Sequence, residues 1–394
     1  MKKVLLATVA ALIVGLPVAG QSTEMSSSTP EFDALLTRIM NDHNLPGAGA
    51  AIVTRSGVVW ARGFGFESIE KGRAANLGSI FDLMSVSKVF TAAALFTLIE
   101  DGKIAIDDAI NPHLPFPVVN PRHPDTTITF RMLLNHTSSI ADDYQTIGAL
   151  YGSGDPVMSL EAFLRDYLTP AGTLFKGSNF LPTAPGEAYS YGNVAFALIG
   201  FLVERISEQP FPDYSETRLL EPLGMTGAGW FLSDIDREHL AVRYRTDSEH
   251  PGDLVAGTPS SWPGYPDGQL RATLLEVGAF IRMILSDGVL DGRRVLKPET
   301  VELMFAPQGL DNVQINARTL LPKHDLALPW QLVDLGGRNI ALHTGRGVGM
   351  ASCVLIDLEA GFGAILWISG SLESRDDFVA LLRCLHHKGT QIAG

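Results

Sequence analysis

The chain has 394 residues, a formal net charge of −13 and two cysteines. That length exceeds the usual size of one domain, so one large domain with an insertion, or two lobes, is expected. The acidic balance excludes a nucleic-acid backbone as partner, because phosphates need basic surface, and two cysteines without clustered histidines leave no zinc pattern and no implied cofactor.

In chain order, Lys2 and Lys3 precede an apolar run to about Val18, and small residues near Ala19 and Gly20 offer a cleavage site. Residues 1–20 therefore read as an export signal, followed by a polar linker over 21–29. The apolar run is short for a membrane span, which needs roughly 20 residues; an uncleaved anchor is the alternative. The mature protein is expected to be periplasmic or secreted, without stable membrane insertion. Export permits a disulfide between Cys353 and Cys384. Two buried free thiols, one in a strand and one in a helix, are the plainer reading.

Pro30 opens an amphipathic helix carrying Phe32, Leu35, Leu36, Ile39 and Met40 at helical spacing. Strands are predicted over 48–54 and 58–64, joined by the turn Arg55-Ser56-Gly57. Residues 85–100 read as a long apolar helix that stops at Asp101-Gly102. From there to about Asp267 the pattern is mostly helical, broken by a Pro-rich loop over 111–124 and a Gly/Pro loop over 249–268. A helix over 274–285 leads into strands over 340–344, 351–357 and 363–369, and a last helix runs from about 375 to 386. The order predicts an α/β (α+β) domain over 30–388. An antiparallel sheet lobe, built from 30–80 and 270–388 and flanked by helices, carries an inserted, mostly helical lobe over 81–269.

Three short stretches could carry chemistry. In Ser85-Val86-Ser87-Lys88, residues three apart share a helix face, so the Lys88 amine can reach the Ser85 hydroxyl. A serine is a weak nucleophile until a base takes its proton, and apolar neighbours (Leu83, Met84, Val86, Val89, Phe90) favour a neutral lysine by burial. The same spacing also fits a helix start with a solvated lysine. Tyr191-Gly192-Asn193 offers a phenol for proton transfer and an amide for a substrate's own amide; a simple turn is the competing reading. His343-Thr344-Gly345-Arg346 follows an apolar strand and precedes further glycines. Glycine lets a substrate approach closely, and a backbone N–H there can face an oxyanion; an ordinary glycine-rich hairpin is equally open. No Gly-x-Ser-x-Gly elbow and no His-Glu-x-x-His occurs.

In this order, Ser-x-x-Lys, Tyr-x-Asn and His-Thr-Gly resemble the signature of the serine β-lactamase and penicillin-binding-protein superfamily, in its class C-like branch. Phe81-Asp82-Leu83-Met84, the run over 128–139, Pro185-Gly186-Glu187, Glu221-Pro222-Leu223-Gly224-Met225 and the run over 268–273 fit as well. The resemblance implies a β-lactamase-like fold and an acyl-enzyme on Ser85, with Lys88 and Tyr191 as the proton-transfer pair and Asn193 on the substrate amide. His343, Thr344 and Gly345 would line the substrate strand. The backbone N–H groups of Ser85 and Arg346 would form the oxyanion hole. His343 stands where class C lactamases carry lysine, which points away from β-lactams. The expected activity is that of a serine peptidase or amidase of the DD-carboxypeptidase or small-peptide type. An esterase is the alternative, a β-lactamase comes third, and a penicillin-sensing module without turnover is the non-enzyme reading. Arg346 would meet a C-terminal carboxylate through paired N–H bonds.

Overall fold

Period-two alternation in three strands builds a sheet with two apolar faces. In β1 (Gly47–Thr54), Ala48, Ala50 and Ile52 join one core while Ala51 and Val53 join another. The same division holds in β7 (Met350–Asp357) and in β8 (Phe362–Ser369), where Ala364, Leu366 and Ile368 oppose Ile365 and Trp367. Side chains of one strand point alternately to opposite faces, so a strand that is apolar throughout must be covered on both sides.

The computed structural model describes residues 30–250, 252–309, 314–315 and 323–394; the expected export signal and linker lie outside them. The main sheet has eight antiparallel strands in the order β4-β5-β6-β7-β8-β1-β2-β3. Here β2 is Gly57–Ser68, β3 Arg73–Ala74, β4 Lys323–Leu326, β5 Gln331–Asp334 and β6 Asn339–Gly347. The first and last parts of the chain meet at its centre, where β1 pairs with β8 from Gly47↔Ser369 to Thr54↔Phe362. Helices α1 (Pro30–Asp42) and α5 (Arg375–Ala393) cover one face through Phe32, Leu36 and Ile39 and through Leu381, Leu382 and Leu385.

The other face carries the larger core and the inserted lobe. Its central helix, α2 (Ser87–Glu100), is buried from Ser87 to Leu98, as a helix apolar all round must be. It packs beside α3 (Asn193–Ser207), and α4 (Leu274–Leu285) returns the chain to the sheet. α4 starts on a full capping box between Thr273 and Glu276.

Several expectations need correction. The lobe between α2 and α4 is less helical than its sequence pattern suggests. Apart from α3, its α-helices are short (Phe130–Leu134, Tyr144–Ala149, Leu160–Leu168 and Phe211–Ser215), separated by turns. The apolar residues there are held by packing around α2 and α3 rather than by one helical period. The 249–268 loop is partly ordered as strand, since Leu254–Ala256 pairs with Tyr244–Thr246. β4, β5 and the helix Pro298–Phe305 were not foreseen. Cys353 in β7 and Cys384 in α5 are free thiols. Among the described residues no helix is long and apolar enough to cross a membrane.

Candidate active site

Ser85 lies in a single 3-10 turn, Met84–Val86, that runs into α2, rather than in the first α-helical turn itself. The turn is anchored on both sides. Asp82 pairs with Arg243 and Arg271 at 2.7 and 2.8 Å. Burial pushes the Asp82 carboxyl up, but the two guanidiniums more than cancel this and hold it at about 2. Leu83 donates its N–H to Leu270 O, and its carbonyl accepts from Ser352 Oγ at 2.6 Å. Met84 takes a positive φ of 49°, a conformation non-glycine residues rarely adopt, immediately before the nucleophile. Ser87, the other serine of the motif, accepts from Leu270 N at 3.0 Å and is buried, which marks it as structural.

Lys88 is fully buried, with its Nζ 3.3 Å from Ser85 Oγ, 2.8 Å from Asn193 Oδ1 and 2.7 Å from the backbone oxygen of Asp267. A neutral amine fits this set: it donates to the last two acceptors and offers its lone pair to the Ser85 hydroxyl. Burial lowers the Lys88 pKa from its ordinary value, against the opposing pull of the Asp267 and Asp142 carboxylates. The rings of Tyr191 and Phe196 lie 4.9 and 5.6 Å from Nζ.

Tyr191 has its hydroxyl buried near Ser85 but in no full hydrogen bond, and burial drives its pKa far above the ordinary phenol value. It therefore rests protonated, poised to donate. Its loop is held from outside. His136 Nδ1 accepts from Gly192 N at 3.2 Å, and the His136 ring lies 4.6 Å from that of Tyr191. Asp142 accepts from Asn193 N and Val194 N at 2.7 and 3.0 Å and so satisfies the N-terminus of α3. Gly192 has an extended backbone, so no left-handed turn explains it.

The third stretch lies on β6. β5 pairs with β6 only over Asn339–Leu342, which leaves one edge of the His343–Gly347 stretch outside that pairing, while β7 holds the other. A two-residue turn closes the β6–β7 hairpin at Gly347↔Met350. Such turns close on a pair that exchanges both hydrogen bonds, and the alternation then points the N–H groups of Arg346 and, two positions earlier, of Thr344 to the open edge. Gly345 is required by contact: a Cβ there would sit 2.4 Å from Leu83 O and 2.8 Å from Met84 Cβ. The strand thus passes directly against the nucleophile turn.

His343 is buried, and burial first, then Lys88 when protonated, lowers its pKa to about 3, so it is neutral, in line with its standing where class C lactamases carry lysine. One expected role changes. The Arg346 guanidinium does not face the site. It donates to Leu372 O at 2.9 Å and pairs with Glu373 at 2.8 Å, because alternation sends its side chain to the opposite side of β6 from Gly345 and Gly347. Its role as carboxylate clamp has no support here; only its backbone N–H remains a candidate.

Sequence reading missed Asp142 and Asp267. Asp267 is buried, accepts from Trp262 Nε1 at 2.9 Å, and places Oδ2 3.4 Å from Lys88 Nζ. Neither residue had a local signal, since Asp142 caps a helix some fifty positions on and Asp267 lies in a Pro/Gly stretch far from Lys88 in sequence.

Protein flp of Staphylococcus aureus (strain COL) is 26% identical over 226 residues, covering 57% of this chain and 43% of that protein. The match thus spans less than half of that relative's length. The penicillin-binding protein homologue from Pyrococcus abyssi, described as octameric, superposes with a TM-score of 0.73 at 20% identity, covering 92% of this chain and 78% of the other. D-amino acid amidase from Ochrobactrum anthropi SV3 gives 0.68 at 19% identity, over 92% and 97%. Both share the fold. The model of the family described as Beta-lactamase matches residues 32–383, nearly the whole described chain, and this protein is a member of that family.

Proposed function

We propose that the chain is an exported serine hydrolase that forms an acyl-enzyme on Ser85 and cleaves small amides, peptides or esters whose bound end bears no free carboxylate. The observation that carries this is the buried Lys88 amine, within reach of Ser85 Oγ and already supplied with two acceptors by Asn193 and Asp267. In the first step Ser85 Oγ attacks the acyl carbon while its proton passes to Lys88 Nζ. The N–H groups of Ser85 and Arg346 receive the oxyanion. Tyr191 gives its proton to the leaving nitrogen or oxygen as that bond breaks and recovers one from Lys88. Water then repeats the attack on the acyl-enzyme and releases the acid.

The substrate class follows from what has changed at the third stretch. A free C-terminal carboxylate, as in a DD-peptide or a β-lactam, would look to His343 or to the Arg346 side chain. The first is neutral and the second is engaged elsewhere. This favours amidase and esterase substrates over carboxypeptidase ones.

The test is a fluorophosphonate probe followed by a substrate panel. The probe should label the purified protein at Ser85, and labelling of Ser85→Ala would end the assignment. Amino-acid amides, p-nitrophenyl acetate, D-Ala-D-Ala peptides and a chromogenic cephalosporin should then be compared by kcat/KM. Highest turnover on the last two would reverse the substrate order. A Lys88→Ala variant of unchanged rate would remove the proposed base.

A further inference from the structure

The segment Pro266–Leu270 is fastened to α2 by three hydrogen bonds. Thr91 Oγ1 donates to Pro266 O at 2.6 Å, Lys88 Nζ to Asp267 O at 2.7 Å, and Leu270 N to Ser87 Oγ at 3.0 Å. The backbone of this segment already gives Lys88 the acceptor it needs. The Asp267 side chain is therefore superfluous for holding the amine in place. Yet it is a carboxylate, buried, with one oxygen bonded to Trp262 Nε1 at 2.9 Å and the other 3.4 Å from Lys88 Nζ. Trp262 is itself buried and packed against Tyr151 and Phe163, so the carboxylate cannot swing away.

We infer that Asp267 is a positioning residue that sets the pH at which Lys88 becomes a base, its carboxylate delaying the loss of the Lys88 proton as pH rises. This rests on Lys88 being the base for Ser85. An anion at this distance in a dry site stabilises the ammonium form strongly, and an ammonium has no lone pair for the Ser85 proton. Burial pushes the Asp267 carboxyl up to about 6, opposed first by Lys88 and then by the Trp262 donor, so the carboxylate forms above that pH and keeps a proton on Lys88 until higher pH still. The other titratable groups facing the amine are Asp142, which also favours its charge, Tyr144 and Tyr191, which stay protonated, and His343, which stays neutral. None of these touches Nζ with a charged atom, whereas Asp267 does.

The experiment is the pH profile of kcat/KM for p-nitrophenyl acetate in the full chain, with fluorophosphonate labelling rates over the same range. Asp267→Asn keeps the shape and the Trp262 acceptor but removes the charge. Its acid limb should move down by about one pH unit or more, so that between about pH 6, where the carboxylate forms, and the wild-type limb the variant gains about threefold to tenfold in kcat/KM. Asp267→Ala keeps the backbone acceptor and should shift the limb in the same direction, which covers poor folding of the first variant. A limb that stays within about 0.3 units in a folded variant, or a loss of rate at every pH, overturns the inference and leaves Asp267 with a packing role. The failure of the catalytic reading itself looks different: Lys88→Ala would then retain the rate and the wild-type limb.

Discussion

Gly345→Ala is the most direct perturbation of the contact between β6 and the nucleophile turn. The added Cβ would lie 2.4 Å from Leu83 O, 2.5 Å from Ser352 Oγ and 2.8 Å from Met84 Cβ. Carbon atoms rest at about 3.5–4.0 Å, so strand and turn must separate by roughly 1 Å. Rotation of a side chain cannot relieve this, because Leu83 O is a backbone atom tied to Ser352, and Leu83 N is tied to Leu270. Overpacking of this kind costs about 1–3 kcal/mol of stability, which leaves a folded protein. The catalytic cost is larger. A shift of that size carries the Arg346 N–H away from the oxyanion position, and loss of one such donor lowers the rate by about 10²–10³. The assay is kcat/KM on p-nitrophenyl acetate together with a thermal melt. Gly148→Ala serves as control, since nothing lies within 4 Å of its added Cβ and the site is helical. A Gly345→Ala protein with kcat/KM within about threefold of wild type would refute the claim that this strand completes the site.

Arg271→Ala should be strongly destabilising, by about 3–5 kcal/mol, because it leaves Asp82 buried with one partner fewer; chemical denaturation measures it. His343→Gln should keep most activity on uncharged esters, as no charge is lost, and kcat/KM over pH 6–8 should keep its wild-type shape. His343 also predicts acid sensitivity. Its pKa is lowered to about 3 in the fold from 6.5, so below pH 6.5 the unfolded chain takes up a proton that the native state refuses. Stability should therefore fall by about 2 kcal/mol between pH 7 and pH 5 from this residue, and His343→Gln should flatten that part of the stability curve. Asp142→Ala should free the start of α3 and lower kcat/KM by about tenfold with a loss of about 1 kcal/mol in denaturant melts, since Asn193 N and Val194 N lose their acceptor.

Local periodicity settled a good part of this protein from sequence alone. Pro30 does open α1, α4 spans Leu274–Leu285 as expected, and β1, β2, β6, β7 and β8 arise where alternating or continuous apolar runs predict strands. Those patterns depend on near neighbours, and so does the reach from Lys88 to Ser85 across one turn. The meeting of Ser85, Lys88 and Asn193 could be anticipated only because three motifs in order resemble a known family. Tertiary structure decided the charges. His343 is neutral because burial removes the water that would solvate its cation, and Arg346 is diverted because strand alternation turns its side chain toward Leu372 and Glu373. Asp267 comes to Lys88 across 179 positions of chain, fastened by three hydrogen bonds to α2. Desolvation and contacts at that separation have no period in the sequence, so the protonation of the base is a property of the folded molecule alone.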